Sequence, residues 1–319
     1  MIDTHKSLSP VIAVVGPTAS GKSALGIEIA LRFNGEIINC DSVQVYREIE
    51  IATAKVLLEE RRGVPHHLLD FVPPEVNYTA GQWARAAEEQ IRETNARGRL
   101  AIIVGGTGFY MRALRQPLFQ SLPTDANLRR RIANIRERHG ALHIYKLLRR
   151  LDPQSAGTFQ PRDYGRVSRA LEVRLQTGRS ILEQQQVSIA QPSPVAARLF
   201  VIALNPPRDE LYRRINRRAE LHFAYGLVSE VRHLLERDVP PESNALGAHG
   251  YRRVVEHLQG RRSLASAIEQ TKLDVRHYAK RQLTWFRREP VAAWLEGFGD
   301  ESNVQRQAIR MIEDLTESF

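Results

Sequence analysis

The sequence is poor in cysteine and has no long hydrophobic run. Cys40 is the single cysteine among 319 residues, so no intramolecular disulfide can form, and this composition fits a reducing compartment. No apolar segment approaches the roughly 18 residues of a membrane span, and the run Val11–Val15 is short enough to be a strand. Residues 1–10 have no apolar core before a cleavage site, so we expect no secretory signal. These absences predict a cytoplasmic protein without a membrane segment.

Acidic residues are also in the minority. The chain has 36 Asp and Glu against 46 Lys and Arg, which gives a net charge of +10. An excess of positive charge favours a polyanionic partner. Hydrophobic residues make up 42% and charged residues 26%, which excludes a mostly disordered or fibrous chain. The length corresponds to roughly two folded domains.

Four short segments rich in β-branched residues are typical of buried strands. They are Val11–Val15, Glu36–Cys40, Ala101–Val104 and Phe200–Leu204. Helical patterns such as Ala24–Phe33 and Gly81–Ala96 alternate with them. This alternation predicts an α/β fold with a parallel sheet and helices on both faces.

The pattern changes to helices alone between Leu122 and about Pro194. We therefore predict an α/β core with C-terminal helices over residues 1–122 and 195–319, and a helical insertion over residues 123–194. Residues 123–193 contain 13 Lys and Arg against 6 Asp and Glu, a net charge of +7. The insertion is the predicted nucleic-acid-binding part of the chain.

A phosphate-binding motif follows the first predicted strand. The residues fit GxxxxGK[ST] and lie between a strand and a helix, as this motif requires. They are Gly16, Pro17, Thr18, Ala19, Ser20, Gly21, Lys22 and Ser23. We expect Lys22 to reach the outer phosphate and Ser23 to ligate Mg²⁺. A nucleotide and any other diphosphate satisfy the same donors, so the motif leaves the ligand open.

Polar residues also follow the second and third predicted strands. Asp41 ends one strand, and the glycine-rich run Gly105–Tyr110 with Thr107 ends the other. Ligands of open α/β sheets bind beyond the carboxyl ends of the strands, so both residues are predicted to face the phosphate-binding loop. The alternatives are a helix N-cap for Asp41 and a simple turn for the glycine-rich run.

His66 and His67 are candidate metal ligands, and Cys40 is a candidate nucleophile. Two adjacent histidines do not share one helix face, and no third ligand stands at the usual spacing, so structural or substrate-lining roles are favoured over zinc. Cys40 is interpreted as a small buried hydrophobic residue and not as a nucleophile.

Basic residues mixed with aromatic residues suit single-stranded nucleic acid, because cations hold phosphates and rings stack on exposed bases. The basic groups are Arg129–Arg131, Arg166, Arg169, Lys280, Arg281, Arg287 and Arg288, and the aromatic ones are Tyr278, Trp285 and Phe286. Each group taken singly is equally consistent with a solvated helix face. Together they favour RNA.

The chain resembles the bacterial tRNA dimethylallyltransferases. The matching stretches are GPTASGKS at 16–23, DSVQVY at 41–46, TAK at 53–55, PHHLLD at 65–70, GGTGFY at 105–110, RVSRALEV at 166–173, GLVSEV at 226–231 and YAKRQ at 278–282. They occur in order along almost the whole chain. The resemblance implies a P-loop NTPase-like fold and transfer of the dimethylallyl group of dimethylallyl diphosphate to N6 of the adenine 3′ of the anticodon.

The resemblance also implies roles for individual residues. Asp41 is the expected base for the N6 proton, and Lys22, Thr107, Arg218 and Mg²⁺ on Ser23 are expected to stabilise the leaving diphosphate. Gln44 is expected to read the adenine edge of an unstacked nucleotide. The implied tRNA contacts are Asp41, Ser42, Val43, Gln44, Thr107, Arg129, Gly165, Arg166, Val167, Ser168 and Arg169. We expect a monomer that binds the anticodon stem-loop.

Three positions depart from the family pattern. Ala52 stands where Gly is usual, His222 where Met is usual, and His249 where Ile is usual. The main alternative function is a nucleotide kinase, in which the loop holds ATP and arginines of the insertion form a lid. A second alternative is a non-catalytic RNA-binding P-loop protein, which does not need Asp41.

Overall fold

The described part of the chain contains a six-stranded parallel sheet. The computed structural model describes residues 10–116, 125–189 and 193–317. The strands are β1 Val11–Val15, β2 Gly35–Asn39, β3 His66–His67, β4 Leu100–Gly105, β5 Leu199–Asn205 and β6 Ala293–Glu296. Their order across the sheet is β3-β2-β4-β1-β5-β6, and every neighbouring pair is parallel. The carboxyl ends of β1, β2 and β4 therefore lie side by side.

The chain divides into two compact units. The described residues up to Leu114 and from Pro194 onward form the first, and those of Arg115–Ser193 form the second. Helices that begin in the first unit are α1 Lys22–Arg32, α2 Ala80–Ala96, α3 Gly108–Arg115, α9 Arg208–Ala224, α10 Leu227–Glu236, α11 Tyr251–Leu258, α12 Leu264–Phe286 and α13 Ser302–Glu317. Helices of the second are α4 Ala126–His139, α5 Ala141–Leu151, α6 Pro153–Thr158, α7 Tyr164–Thr177 and α8 Ile181–Ile189. The predicted boundary at residues 122 and 123 lies outside the described residues.

Buried apolar residues cover both faces of the sheet. Successive strand residues point to opposite sides, so each central strand contributes to two cores. Ala13 and Ile103 belong to a core that includes Trp83 of α2. Val14 and Ile102 belong to a second core, which includes Leu25 of α1 and Ile312 of α13. This burial on both sides explains the continuous apolar runs of the strands and confirms the predicted parallel α/β fold.

The two edge strands were not predicted. β3 is two residues long and consists of imidazoles, and β6 is a four-residue segment, so neither has the apolar run of a central strand. The four predicted strands occur within two residues of their expected bounds. No helix in the described ranges has the length and apolarity to cross a membrane.

The second unit has a core of its own. Ile144 and Leu148 of α5 pack with Val167 and Leu171 of α7 in one buried cluster. Asp152 caps α6 by accepting the backbone N–H of Ser155 at 3.1 Å. Amphipathic helices alone build this unit, since no strand occurs among its described residues.

Candidate active site at the strand ends

The loop between β1 and α1 has the curled backbone of a phosphate-binding loop. Gly16 and Gly21 have φ values of +148° and +81°, where a side chain is strained. A Cβ on Gly21 would also lie 2.8 Å from the backbone nitrogens of Gly299 and Asp300. Gly299 donates its N–H to the carbonyl of Ser20 at 2.9 Å. The segment after β6 therefore packs against the phosphate-binding loop and supports its backbone.

Lys22 is folded into this loop. Its Nζ donates to the carbonyl of Pro17 at 2.6 Å. Burial lowers the pKa of Lys22 to about 8, although the Asp41 carboxylate opposes the shift and Arg218 adds to it. At neutral pH the ammonium is mostly protonated, and its position suits an anion bound at the N-terminus of α1.

Gln282 of α12 links two of the strand-end loops. Its Oε1 accepts the backbone N–H of Thr18 at 2.8 Å, and its Nε2 donates to the carbonyl of Gly106 at 2.9 Å. The side chain is buried, and a Cβ on Gly106 would lie 2.1 Å from its Nε2. Sequence reasoning did not assign Gln282 to the site, although the YAKRQ stretch contains it. The Thr18 N–H is used by Gln282, so other donors of the loop must hold an anion.

Asp41 follows β2 in a tight turn. Its Oδ1 accepts the backbone N–H groups of Val43 at 2.8 Å and Gln44 at 3.3 Å. Residues 42–45 form a turn and not a helix, so the alternative of a helix N-cap is wrong. The second oxygen, Oδ2, has no hydrogen bond within the described part of the chain. The turn thus fixes the carboxylate and leaves one oxygen available.

Thr107 steadies the same turn from the end of β4. Its Oγ1 accepts the backbone N–H of Ser42 at 3.0 Å, and its own N–H donates to the carbonyl of Cys40 at 3.1 Å. The predicted meeting of Asp41 and Thr107 at neighbouring strand ends is therefore observed.

A cavity of about 190 Å³ opens beside these groups. Its lining includes Thr18 and Ala19 of the phosphate-binding loop, Asp41, Arg218 of α9 and Tyr278 of α12. Arg218 has no ion-pair partner among the described residues. Burial lowers the pKa of Arg218, and the charges of Glu60 and Asp41 oppose this effect. The cavity thus joins a phosphate-binding loop, a carboxylate and an unpaired guanidinium.

Gln44 forms hydrogen bonds to two residues that line this cavity. Its Nε2 donates to the carbonyls of Thr53 at 2.9 Å and Ala54 at 3.2 Å, and both of these residues line the cavity. The amide N–H groups are therefore engaged by the backbone. The predicted reading of an adenine edge by Gln44 can use only its Oε1 in this arrangement.

The arginines of the second unit form ion pairs. Arg129 makes two hydrogen bonds to Glu172, at 2.9 and 3.0 Å, and Arg169 makes a third at 3.0 Å. Arg166 pairs with Asp163 at 3.3 Å. Glu172 is buried, and sequence reasoning missed it because a single glutamate in a basic helix has no distinctive pattern. The net charge of +7 over residues 123–193 is unchanged by these pairs, but three of the arginines predicted to contact RNA are engaged by acidic side chains.

Val167 is the one predicted tRNA contact whose side chain is buried. It is 1% exposed and lies in the core of the second unit. A contact between its side chain and RNA is therefore excluded. Gly165 and Arg166 near the start of α7 are exposed.

The two histidines of β3 have structural partners. His66 Nδ1 lies 2.8 Å from the carbonyl of Val64, and His67 Nε2 lies 2.7 Å from Oε2 of Glu36. Neither lines the cavity. Cys40 is fully buried, and burial raises the pKa of its thiol.

Comparison with known proteins decides the family. Residues 44–289 match the family model described as IPP transferase. The chain belongs to this family. It is 45% identical over 300 residues to a tRNA dimethylallyltransferase of Solibacter usitatus, covering 94% of this chain and 97% of the relative. Against the tRNA dimethylallyltransferase of Geobacter metallireducens the identity is 44%, with 90% and 92% covered.

Solved structures of the IPP transferase family have the same fold. The full-length tRNA isopentenylpyrophosphate transferase of Bacillus halodurans superimposes with a TM-score of 0.68 at 34% identity, covering 97% of this chain and 96% of that one. A eukaryotic dimethylallyltransferase acting on tRNA superimposes with a TM-score of 0.81 at 28% identity, covering 97% and 80%. The family resemblance and the P-loop NTPase-like fold predicted from the motifs are both confirmed.

The residues of the loop fit a magnesium ion held mainly by substrate. The Ser23 hydroxyl has no hydrogen-bond partner in the described ranges. Those ranges also contain no group of three or more His, Cys, Asp or Glu side chains suited to a metal. Mg²⁺ commonly takes one or two protein oxygens and completes its shell with phosphate oxygens and water. Ser23 beside a bound diphosphate meets this need.

Proposed function

We propose that the protein transfers the dimethylallyl group of dimethylallyl diphosphate to N6 of the adenine 3′-adjacent to the anticodon of tRNA. The observation that carries this proposal is the cavity in which Asp41 and Arg218 meet the phosphate-binding loop. In the reaction a bond forms between N6 and the allylic C1, and the bond between C1 and the diphosphate oxygen breaks. The N6 proton passes to Asp41, and diphosphate leaves with both electrons of the broken bond.

Cationic groups stabilise the leaving diphosphate. Lys22 and Arg218 place two positive charges beside the loop, where burial strengthens their attraction for an anion. The loop N–H groups other than that of Thr18 add hydrogen bonds. A magnesium ion on Ser23 would neutralise further charge on the diphosphate when bound.

Asp41 supplies the base. The adenine amine is a weak nucleophile because its lone pair is delocalised into the ring, so removal of its proton during attack lowers the barrier. The oxygen Oδ1 is held by the turn, and Oδ2 is without a protein partner. The hydrogen bond from Ser42 to Thr107 keeps this turn in place. These contacts fix a carboxylate that lines the cavity and leave one of its oxygens available to accept a proton.

Arginines of the second unit are the proposed contacts to the phosphates of the RNA. The exposed Arg166 on α7 is best placed for a phosphate contact, since its side chain is 69% exposed and its partner Asp163 is only half-buried. Arg129 and Arg169 retain N–H groups beyond those bound to Glu172. A tRNA substrate and a single buried cysteine also support a cytoplasmic location.

The test measures product directly. Purified protein is incubated with unmodified tRNA, dimethylallyl diphosphate and Mg²⁺, and digested nucleosides are analysed by mass. We expect N6-(dimethylallyl)adenosine from wild type and none from Lys22→Ala. The kinase alternative predicts ATP consumption that a nucleoside monophosphate stimulates and that Lys22→Ala abolishes. Phosphorylated nucleotide without prenylated tRNA would replace the proposal by that alternative.

A further inference from the structure

Four residues of one helix face form a wall of the cavity. Ile215, Arg218, Ala219 and His222 of α9 all line it, and their spacing is that of a single helical face. Ile215 and Ala19 of the phosphate-binding loop share one apolar cluster, so this end of the wall lies at the loop. The helix then leads away from the loop, past Arg218, to His222.

Helical geometry sets the distance from the phosphates to the imidazole. His222 lies four positions after Arg218, which is about 6 Å along the axis at 1.5 Å per residue. A five-carbon allylic chain extends over a similar length from its diphosphate to its terminal methyl groups. With the diphosphate at Lys22 and Arg218, the far end of the chain therefore reaches the level of His222.

The imidazole of His222 has unused hydrogen-bonding capacity. Neither ring nitrogen has a hydrogen-bond partner among the described residues. Burial lowers the pKa of His222 to about 4, and the charge of Arg218 adds to this effect. The ring is thus neutral at pH 7, with one N–H donor and one nitrogen acceptor.

The cavity that His222 lines has both polar and apolar side chains, and Thr53, His249 and Thr271 are among the polar ones. Ala52, Ala219 and Val275 line the same cavity and suit a hydrocarbon chain. His222 is half-buried, and the methyl groups of a plain allylic chain placed against its ring would offer no partner to its donor or its acceptor, which is unfavourable. A hydroxyl group at the end of the chain would satisfy both, because it donates and accepts.

We propose that His222 is a specificity-determining residue that allows the cavity to accept an allylic C5 diphosphate with a hydroxyl group on a terminal methyl. This inference rests on the proposed function and extends its donor substrate. The hydroxyl takes no part in the transfer: the same C–N bond forms, the same C–O bond breaks, and Asp41 receives the same proton. The product is a hydroxylated N6-prenyl adenosine in tRNA.

The experiment is a competition between two donors. 4-Hydroxy-3-methylbut-2-enyl diphosphate and dimethylallyl diphosphate are mixed with unmodified tRNA, and the two product nucleosides, which differ by one oxygen atom, are quantified by mass. Their ratio gives the ratio of kcat/KM for the two donors, which does not depend on the fraction of active enzyme. Wild type is compared with His222→Met and with His222→Gln, which keeps a donor and an acceptor.

We expect wild type to use the hydroxylated donor and His222→Met to shift the ratio toward the plain donor by about tenfold or more. His222→Gln should retain most of the wild-type ratio. An equal ratio in wild type and His222→Met overturns the inference, and so does a wild type that uses only the plain donor. In both of these cases the proposed function stands, because dimethylallyl transfer is measured in the same reaction. Transfer from neither donor would contradict both the proposed function and this inference.

Discussion

The side chain of Gln282 and the backbone nitrogen of Thr18 are 264 positions apart in sequence and 2.8 Å apart in space. The same amide reaches Gly106 at 2.9 Å. One buried glutamine thus holds the phosphate-binding loop against the loop that presents Thr107. The geometry of the site depends on a residue with no expected chemical part in the reaction.

Replacement of Gln282 by Met should therefore weaken both folding and phosphate binding. The change leaves the buried Thr18 N–H and Gly106 carbonyl without partners, at a cost of about 1–3 kcal/mol each. Urea unfolding measures the loss of stability, and calorimetry measures the affinity for inorganic diphosphate. The exposed Gln154, changed to Met, serves as the control. Unchanged diphosphate affinity in Gln282→Met would show that the loop keeps its shape without this link.

Loss of the base should reduce turnover without loss of RNA binding. Asp41→Asn keeps an oxygen that can accept the turn N–H groups but cannot take the N6 proton, so kcat should fall by roughly a hundredfold or more. Single-turnover prenyl transfer and tRNA binding are measured side by side. Asp238→Asn, at an exposed residue just after α10 with no side-chain partner in the described ranges, is the matched carboxylate control. Near-normal turnover in Asp41→Asn would remove Asp41 from the mechanism.

The affinity for diphosphate should depend on the protonation of Lys22. The pKa of Lys22 is about 8 in the free protein, whereas a bound anion favours the protonated form. Affinity should therefore fall as pH rises through about 8, because the free protein then loses the proton that the complex needs. Calorimetric titrations with inorganic diphosphate are compared between wild type and Lys22→Met. The same pH dependence in both proteins would assign the effect to the ligand.

Glu36 should stabilise the fold at neutral pH. Burial alone would raise its pKa, but hydrogen bonds from Arg97 and His67 lower the pKa of Glu36 to about 2. A carboxylate with a depressed pKa stabilises the folded state above its unfolded pKa of about 4.3, and this stabilisation is lost as pH falls toward 2. Glu36→Gln should reduce the free energy of unfolding by about 2 kcal/mol at pH 7, with a smaller difference near pH 3. A pH-independent difference would mean that packing alone is responsible.

Salt dependence tests the basic insertion. Neutralising an arginine that contacts a phosphate reduces the slope of log K against log salt by about one. We expect this reduction for Arg166→Gln, and a larger one when Arg169→Gln is added. Arg306→Gln, an exposed change on α13, is the control. An unchanged slope in the double variant would assign these arginines to the ion pairs with Asp163 and Glu172 alone.

The sequence predicts those parts of the site that are local. The residues after β1, β2 and β4 are contiguous polar or glycine-rich runs, and parallel strands bring their carboxyl ends to one edge. Asp41 and Thr107 could be placed together for this reason. Gln282 and Glu172 could not, because their partners are distant in sequence or lie in an ordinary charged helix. Arg218 was assigned through family resemblance alone, since one arginine of an arginine-rich helix has no distinguishing pattern of its own.

The close fit of Gly21 against Gly299 and Asp300 bears on how the site is made during synthesis. The phosphate-binding loop is translated early, yet the backbone that supports it comes only with Gly299 and Asp300. A nascent chain therefore exposes the motif long before the loop can take its final shape. A chain that has not yet reached Gly299 lacks this support, so we expect tight binding of a diphosphate only after this segment has been added and has folded.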